Sequence, residues 1–425
     1  MTINSRGVGL LTLTALILSV AVASAGAEKN VEINGFLLGN FSGRTTGLRP
    51  DGNGGSDFLL AEERLRLDIY AWSEYIEASA RIKGDFFHDA ITGEFEIDLR
   101  EAYVDYTEGA FDFRLGRQIA TWGVGDLLFI NDVFPKDWVS FFSGRPLEYL
   151  KIGADGLRVL VSSRVVNTEL LIIPFFQPDI VPSSRNFFIY DPFKDVQSRE
   201  ETKPEATYNN TELALRLYGK IMNFDISIYA YNGFWGTPSM KPDDFGAPTR
   251  AISFYPELAV FGLSAQGSSL DGILSFETGY YYSGEDKNGV DPTMPNSEAR
   301  FLLGYQRQFW EDFTAGIQYY GEIMGNYTAY KMSLPVGFAS RKEYRDTATL
   351  RLERLLKHQI WRLSLFTFYS PADNDYLIQP QTSYKLSDNF NVALGANIFG
   401  GKKNSTFLAQ FDKNDNVYLS VRFDF

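Results

Sequence analysis

The sequence predicts an all-β protein: a transmembrane antiparallel up-and-down β-barrel of about 18 strands, with 16 as the alternative. Three observations support this prediction. The chain begins with an export signal, its later segments alternate between apolar and polar residues, and no apolar run of about 18 residues follows the signal. A chain without such a run can cross a bilayer only with strands.

The export signal occupies residues 1–27. Arg6 lies near the start, an apolar run extends from Val8 to Val22, and the small-residue site Ala23-Ser24-Ala25 follows. This order of features is that of a secretory signal peptide, and the apolar segment is too short to remain as a span of the mature protein.

The predicted cleavage site lies after Ala25 or after Ala27, and residues 28–425 are assigned to a single barrel domain. The signal holds one base and no acid, so the mature chain has 39 bases against 53 acids and a net charge of −14. No basic stripe is present to neutralise phosphates, which argues against nucleic acid as a partner. The chain has no cysteine, so disulfides, thiolate metal sites and haem attachment are excluded. We expect neither a metal nor a cofactor.

The strands are recognised by alternation with a period of two residues. In Arg64–Ile69 one face is charged and the other is apolar, and Tyr75–Phe86 repeats the pattern over a longer stretch. Runs of about 10–14 residues fit tilted membrane strands better than the shorter strands of a soluble sandwich. An Arg facing lipid at the midplane would cost about 2–4 kcal/mol. Arg64 and Arg66 must therefore face a water-filled interior.

The same pattern predicts the other strands and the inner wall. The predicted strands cover residues 31–43, 58–72, 74–87, 95–107, 111–120, 151–162, 165–175, 209–220, 223–232, 250–266, 270–283, 297–309, 312–325, 343–356, 359–369, 374–386, 389–399 and 416–425. Short links alternate with mostly longer polar ones, as periplasmic turns and outer loops do, which places both termini in the periplasm. Charged residues expected on the lumen wall are Arg64, Arg66, Arg81, Lys83, Asp98, Arg100 and Arg114.

The third outer loop, residues 119–150, is the candidate pore constriction. The first strand begins near Val31, which leaves no room for an N-terminal plug, so we expect a loop to narrow the bore. The loop is unusually apolar for its position: Trp122, Leu127, Leu128, Phe129, Ile130, Phe134, Trp138, Phe141 and Phe142 could pack it against the inner wall. Its acids Asp126, Asp132, Asp137 and Glu148 would then oppose the bases Arg117, Arg145, Lys151 and Arg158. Opposed charges in a narrow throat create a transverse field that favours polar solutes.

Two segments resemble a large, poorly characterised class of bacterial outer-membrane β-barrels. The first contains Gly116-Arg117-Gln118, Trp122-Gly123, Asp126, Asn131-Asp132, Pro135 and Asp137, and the second is Leu171–Pro182. The resemblance covers roughly residues 116–182 and implies a porin-like outer-membrane protein without naming its solute. The position of the loop also resembles general porins, which fold their third loop into the barrel.

The last strand ends on Phe425. Val417, Leu419, Val421, Phe423 and Phe425 share its apolar face. A final strand with a C-terminal Phe resembles the signal that the barrel-assembly machinery of bacterial outer membranes recognises, and this implies outer-membrane lipid as the surroundings of the barrel.

We weigh three functions. The first is a passive channel for small hydrophilic solutes or ions, as a monomer or a homotrimer. The second is a structural sheath for an envelope partner such as a cytochrome, which an inward loop disfavours because it would occupy the bore. The third is an outer-membrane enzyme. The only histidines, His88 and His358, are predicted at opposite membrane faces and cannot form one site, so no catalytic residue is assigned.

Overall fold

The computed structural model describes residues 30–46, 50, 57–336 and 338–425. The predicted signal peptide lies outside these residues. The strands are β1 (Val31–Arg44), β2 (Phe58–Trp72), β3 (Ala78–Asp89), β4 (Glu94–Glu108), β5 (Phe111–Gln118), β6 (Ala154–Val161), β7 (Asn167–Ile173), β8 (Ser198–Thr202), β9 (Glu212–Ile221), β10 (Phe224–Phe234), β11 (Ser239–Pro242), β12 (Arg250–Phe254), β13 (Glu257–Ser269), β14 (Gly272–Tyr282), β15 (Glu298–Trp310), β16 (Phe313–Met324), β17 (Tyr344–Leu356), β18 (Trp361–Ser370), β19 (Asp375–Lys385), β20 (Phe390–Gly401) and β21 (Asn416–Asp424).

Eighteen of these strands form one closed antiparallel barrel, and β8, β11 and β12 form a separate three-stranded sheet. Each barrel strand pairs with the next barrel strand along the chain, and β21 pairs with β1 to close the ring. At the seam, the backbone N–H groups of Gly35 and Phe425 each donate to the carbonyl oxygen of the other at 3.0 Å. The predicted fold class and the count of about 18 strands are confirmed.

The two faces of the wall differ as membrane strands require. On β14, Glu277 and Tyr281 are buried on the inner side, whereas Phe276 and Tyr280 point outward and are exposed. Other strands repeat the pattern, with Leu303 and Ile317 on the outward side. An apolar band that faces outward all round is the surface that lipid covers.

The links also follow the predicted alternation. At one end, the turns are as short as residues 222–223 and 270–271, and at the other end the loops are as long as residues 174–211. Two links at the loop end are short as well, residues 90–93 and 371–374.

Two predicted strand starts are wrong by four residues or more. The strand expected over residues 250–266 is divided: β12 joins the separate sheet, and β13 begins only at Glu257. Pro256 lies between them, and a proline cannot donate a hydrogen bond to a neighbouring strand. The strand expected from residue 74 begins at Ala78, because the Ser73 hydroxyl accepts from the backbone N–H groups of Tyr75 and Ile76 and forms a turn.

Helices are short in the described ranges. They are α1 (Trp138–Ser143), α2 (Tyr327–Ser333) and 3-10 turns at Leu147–Tyr149, Tyr208–Asn210 and Ala409–Asn414. None of the helices in this part of the chain is long and apolar enough to span a bilayer.

Candidate pore constriction

Residues 119–153 leave the wall after β5, cross the interior and return at β6. Their hydrogen bonds reach inner-wall residues on strands far from β5 in the ring, including β14, β16, β17, β20 and β21. The predicted inward fold of the third outer loop is confirmed. We call residues 119–153 the inward loop.

Glu277 on β14 anchors the first part of the inward loop. Its carboxylate is 0% exposed and accepts four hydrogen bonds, all from the loop. Oε2 accepts from the backbone N–H groups of Val124 and Gly125 at 2.8 and 3.0 Å, and Oε1 accepts from the backbone and side-chain amides of Asn131 at 2.8 and 3.0 Å. Gly123, at φ 77°, lies so close that a Cβ there would meet a Glu277 oxygen at 2.6 Å. The wall therefore holds this segment through one carboxylate and a tight turn.

Asp126 crosses to the far side of the bore. Its carboxylate pairs with Arg351 on β17, with an Nη2–Oδ1 distance of 2.7 Å. Its backbone N–H donates to Gln318 Oε1 at 2.7 Å, and the Gln318 amide donates back to the Asp126 carbonyl oxygen at 2.9 Å. Among the ion pairs that the inward loop's aspartates form, this one is the most accessible. The Asp126 side chain is 37% exposed and the Arg351 side chain is 23% exposed.

Asp132 and two lysines form a buried ionic cluster within the inward loop. Lys136 Nζ donates to the Asp132 carbonyl oxygen at 2.6 Å and to the Phe134 carbonyl oxygen at 2.8 Å. Lys151 Nζ donates to Asp132 Oδ2 at 2.6 Å. The cluster joins the two arms of the loop, because Lys136 and Lys151 also form an isolated β-bridge.

Asp137 is the N-cap of α1. Its Oδ1 accepts from the Ser140 N–H at 2.9 Å, which satisfies one free donor of the first helical turn. Arg145 donates to Asp137 Oδ2 at 3.2 Å and, through Nε, to Glu62 on β2 at 3.0 Å. The proximity of Glu62 raises the pKa of Arg145 despite the opposing effect of its burial. Asp137 and Arg145 thus connect the helix to the wall.

Amide side chains of the inner wall hold the other end of α1. Asn397 on β20 and Asn416 on β21 both donate to the Phe142 carbonyl oxygen, at 3.2 and 3.1 Å. Asn40 on β1 donates to the Gly144 carbonyl oxygen at 3.5 Å. The last carbonyl groups of a helix lack partners within the helix, and here the barrel supplies them.

The last part of the inward loop contacts the basic inner wall. Glu148 accepts from Arg66 on β2 at 2.7 Å and from Arg422 on β21 at 2.8 Å. Arg100 donates to the carbonyl oxygens of Glu148 and Lys151, both at 2.8 Å. The ring of Tyr149 lies within about 5 Å of three guanidinium groups. Those groups belong to Arg64, Arg66 and Arg100.

The remaining residues predicted from the sequence pair with neighbouring wall residues. On the inner side, Arg81 pairs with Asp68, Lys83 with Glu101, Arg114 with Asp105, Arg158 with Glu169, and Arg100 with Asp98. Arg117 forms a two-pronged pair with Asp155, at 2.8 Å for both bonds. The register puts Arg117 opposite Ala102, on the same side of the sheet as the outward Leu115, so it lies apart from the aspartates of the inward loop.

Two apolar clusters fill the space between the inward loop and the wall. In the first, Trp122, Ile130 and Phe134 pack against inner-wall residues such as Tyr229 and Leu302. In the second, Phe141 and Phe142 of α1 pack against Phe366, Phe368 and Phe399 of β18 and β20. These clusters explain the apolar composition of the loop, because its large side chains are buried against the barrel.

The loop over residues 174–211 is tied to the inward loop through Asp179, which sequence reasoning missed. Its carboxylate accepts from the Lys136 backbone N–H at 2.8 Å, the Trp138 indole N–H at 3.1 Å and the Thr237 hydroxyl at 2.9 Å. Further along, the Phe188 N–H donates to Asn414 at 2.8 Å. The outer loops and the inward loop are therefore linked by hydrogen bonds.

The histidines lie in separate places. His88 Nδ1 is 3.5 Å from Glu63 on the neighbouring strand, whereas His358 lies in the turn between β17 and β18 at φ 56°. Among the described residues, no group of three or more His, Cys, Asp or Glu side chains could hold a metal ion.

The fold and the inward loop define a membrane-type β-barrel with one loop folded into its interior. No protein-family model matches the chain, and no curated protein matches it. Among solved structures, OccAB3 of Acinetobacter baumannii is similar over 94% of this chain and 100% of its own, with 8% identity and a TM-score of 0.56. OccK11 (OpdR) of Pseudomonas aeruginosa is similar over 93% of this chain and 96% of its own, with 8% identity and a TM-score of 0.54. At this identity, the likeness establishes a shared barrel fold.

Proposed function

We propose that this protein is a bacterial outer-membrane channel for passive diffusion of small hydrophilic solutes or ions, with the inward loop as its constriction. The observation that carries the proposal is the attachment of one loop to distant parts of the inner wall, through Glu277, Arg351 and the amides of Asn397 and Asn416. A segment fixed in this way sets a constant bore. Such a channel needs no catalytic residue, and the occupied bore argues against a sheath for a partner protein.

The proposed constriction residues are those of the sequence prediction except Arg117, with Arg351 added as the partner of Asp126. Every aspartate of the inward loop has a basic partner, so opposed charges largely cancel at contact distance. Asp126 and Arg351 form the most accessible such pair, and we assign them the largest influence on passing ions. The proposed set comprises Asp126, Asp132, Asp137, Arg145, Arg158 and Arg351. Arg117 is left out, because it lies on the side of the sheet that carries the outward Leu115.

Planar-bilayer recording tests the proposal. The folded protein should conduct ions, and the triple variant Asp126→Asn, Asp132→Asn, Asp137→Asn should conduct with a shift towards anion preference. The reason is that the variant leaves the bases that pair with these aspartates without their counter-charges. A matched control, Asp244→Asn with Glu205→Gln in the exposed outer loops, should leave selectivity unchanged. Absence of conductance in the unaltered protein would overturn the channel proposal.

Three further parts belong to this proposal. The chain would reach the outer membrane after removal of its signal peptide, with Phe425 recognised by the barrel-assembly machinery. It would belong to the outer-membrane class whose motif it resembles. A homotrimer is the assembly to be tested, and native mass spectrometry in detergent measures it directly.

A further inference from the structure

Three aromatic rings form a partly exposed surface at the inward loop. They are Phe129, Trp138 and Phe407, the last from the outer loop over residues 402–415, and we call them the aromatic shelf. The ring centroids of Phe129 and Trp138 are 6.1 Å apart with planes at 69°, and those of Trp138 and Phe407 are 6.3 Å apart at 88°. Phe407 is 52% exposed, and the other two rings are half-buried.

The shelf is held rigidly. The Trp138 indole N–H donates to Asp179 Oδ2 at 3.1 Å, and its backbone N–H donates to the Ile180 carbonyl oxygen at 2.9 Å. The Trp138 ring also packs against the rings of Phe141 and Phe142, with centroid distances of 5.9 and 6.2 Å. A fixed ring offers a solute contact area without the entropy cost of ordering it.

The two ammonium groups beside the shelf both bind acceptors of the inward loop. Lys136 Nζ lies 4.6 Å from the Phe129 ring centroid and donates to Asp132 and to the Phe134 carbonyl oxygen. Lys151 is bound to Asp132. A sugar ring needs free hydrogen-bonding partners around the aromatic face that it covers. The shelf instead offers ring faces and edges at angles that accept another aromatic ring.

We propose that the aromatic shelf is a binding site for small aromatic solutes on their way through the constriction. The proposal rests on the channel function and adds a solute class to it. Stacked and edge-to-face contacts with the shelf would hold an aromatic ring for longer than a saturated ring of similar size, because only the aromatic ring has the matching quadrupole.

The test is single-channel recording with L-phenylalanine and, separately, L-cyclohexylalanine, which has a saturated ring of similar size and the same charge. L-phenylalanine should interrupt the current of the unaltered protein with residence times roughly 3–10-fold longer than those of the saturated analogue. The variants Trp138→Ala and Phe407→Ala should each remove most of this difference. Phe407 is exposed at a loop, so Phe407→Ala keeps the test available if Trp138→Ala misfolds.

Trp310→Ala is the matched control, because this ring is 61% exposed at the opposite end of the barrel wall, in contact with Phe309 and Phe313. It should behave like the unaltered protein. Equal residence times for the two solutes, or a preference that survives in the Phe407→Ala variant, would overturn the shelf proposal while leaving the channel intact. Absence of conductance would instead contradict the channel itself.

Discussion

Replacing Glu277 with Gln should detach the first part of the inward loop from the wall. The carboxylate accepts four amide hydrogen bonds, two at each oxygen. The side-chain amide of Gln has the same shape, but one of its ends can only donate. Two loop N–H groups then face a donor and lose their acceptor.

The size of the effect follows from these two donors. Each buried donor left without a partner costs about 1–3 kcal/mol, so Glu277→Gln should weaken the attachment by about 2–6 kcal/mol. At the lower limit, the detached population rises about 30-fold. The barrel should stay folded, since the ladder of 18 strands does not depend on this contact.

Hydrogen exchange and channel recording together measure this release. Amide exchange within residues 119–131 should accelerate at least about 30-fold, and single-channel current should become noisier or larger. Glu353→Gln is the matched control, since Glu353 pairs with Arg362 on the adjacent strand. Unchanged exchange and current in Glu277→Gln would refute the assignment of Glu277 as the anchor.

Three other predictions follow. Gly262→Ala should displace the inward loop, because a Cβ would lie 1.7 Å from Asn131 Oδ1. Channel recording should detect a changed current, whereas the control Gly316→Ala, whose Cβ would have no atom nearer than 3.6 Å, should leave the current unchanged. Hydrogen bonds from the β11–β12 turn hold the pKa of Asp243 well below its usual range. The stability that these bonds add is present above the unfolded pKa of Asp243 and is lost as the pH falls through the folded pKa. Proteolysis of the turn should therefore become faster at low pH, whereas Asp243→Ala, which has no acceptor, should be cleaved readily at every pH. Deleting Phe425 removes two backbone hydrogen bonds at the seam and should lower the folded fraction on heat-modifiability gels; full recovery of folded protein would contradict this.

The barrel could be predicted from the sequence because its evidence is local. Apolar and polar residues alternate with a period of two along the strands, and Arg64 and Arg66 indicate which face points into the barrel. The failures lie where a local pattern conflicts with one residue, as at Pro256, which divides a strand that otherwise reads as continuous.

The attachment of the inward loop could be predicted only in part. Its three aspartates and its apolar side chains can be recognised in the sequence. Two of the expected bases do bind these aspartates: Arg145 binds Asp137 and Lys151 binds Asp132. Asp126, however, pairs with Arg351, more than 200 positions away. In the sequence, Glu277 looks like any other inward-facing residue of a strand. The four hydrogen bonds that it accepts come from the inward loop, about 150 positions away, and the strand pattern does not predict them.

Closure of the ring by β1 and β21 has a consequence for the order of folding. The pairing of β1 with β21 joins residues 36–44 to residues 416–424, which lie more than 370 positions apart in the chain. Contacts of such sequence separation form slowly, because a large loop must be closed before they stabilise anything. The carbonyl group of Phe142 gains its partners late as well, since Asn397 and Asn416 lie near the end of the chain. The inward loop therefore gains its full set of wall contacts only after β20 and β21 have joined the barrel.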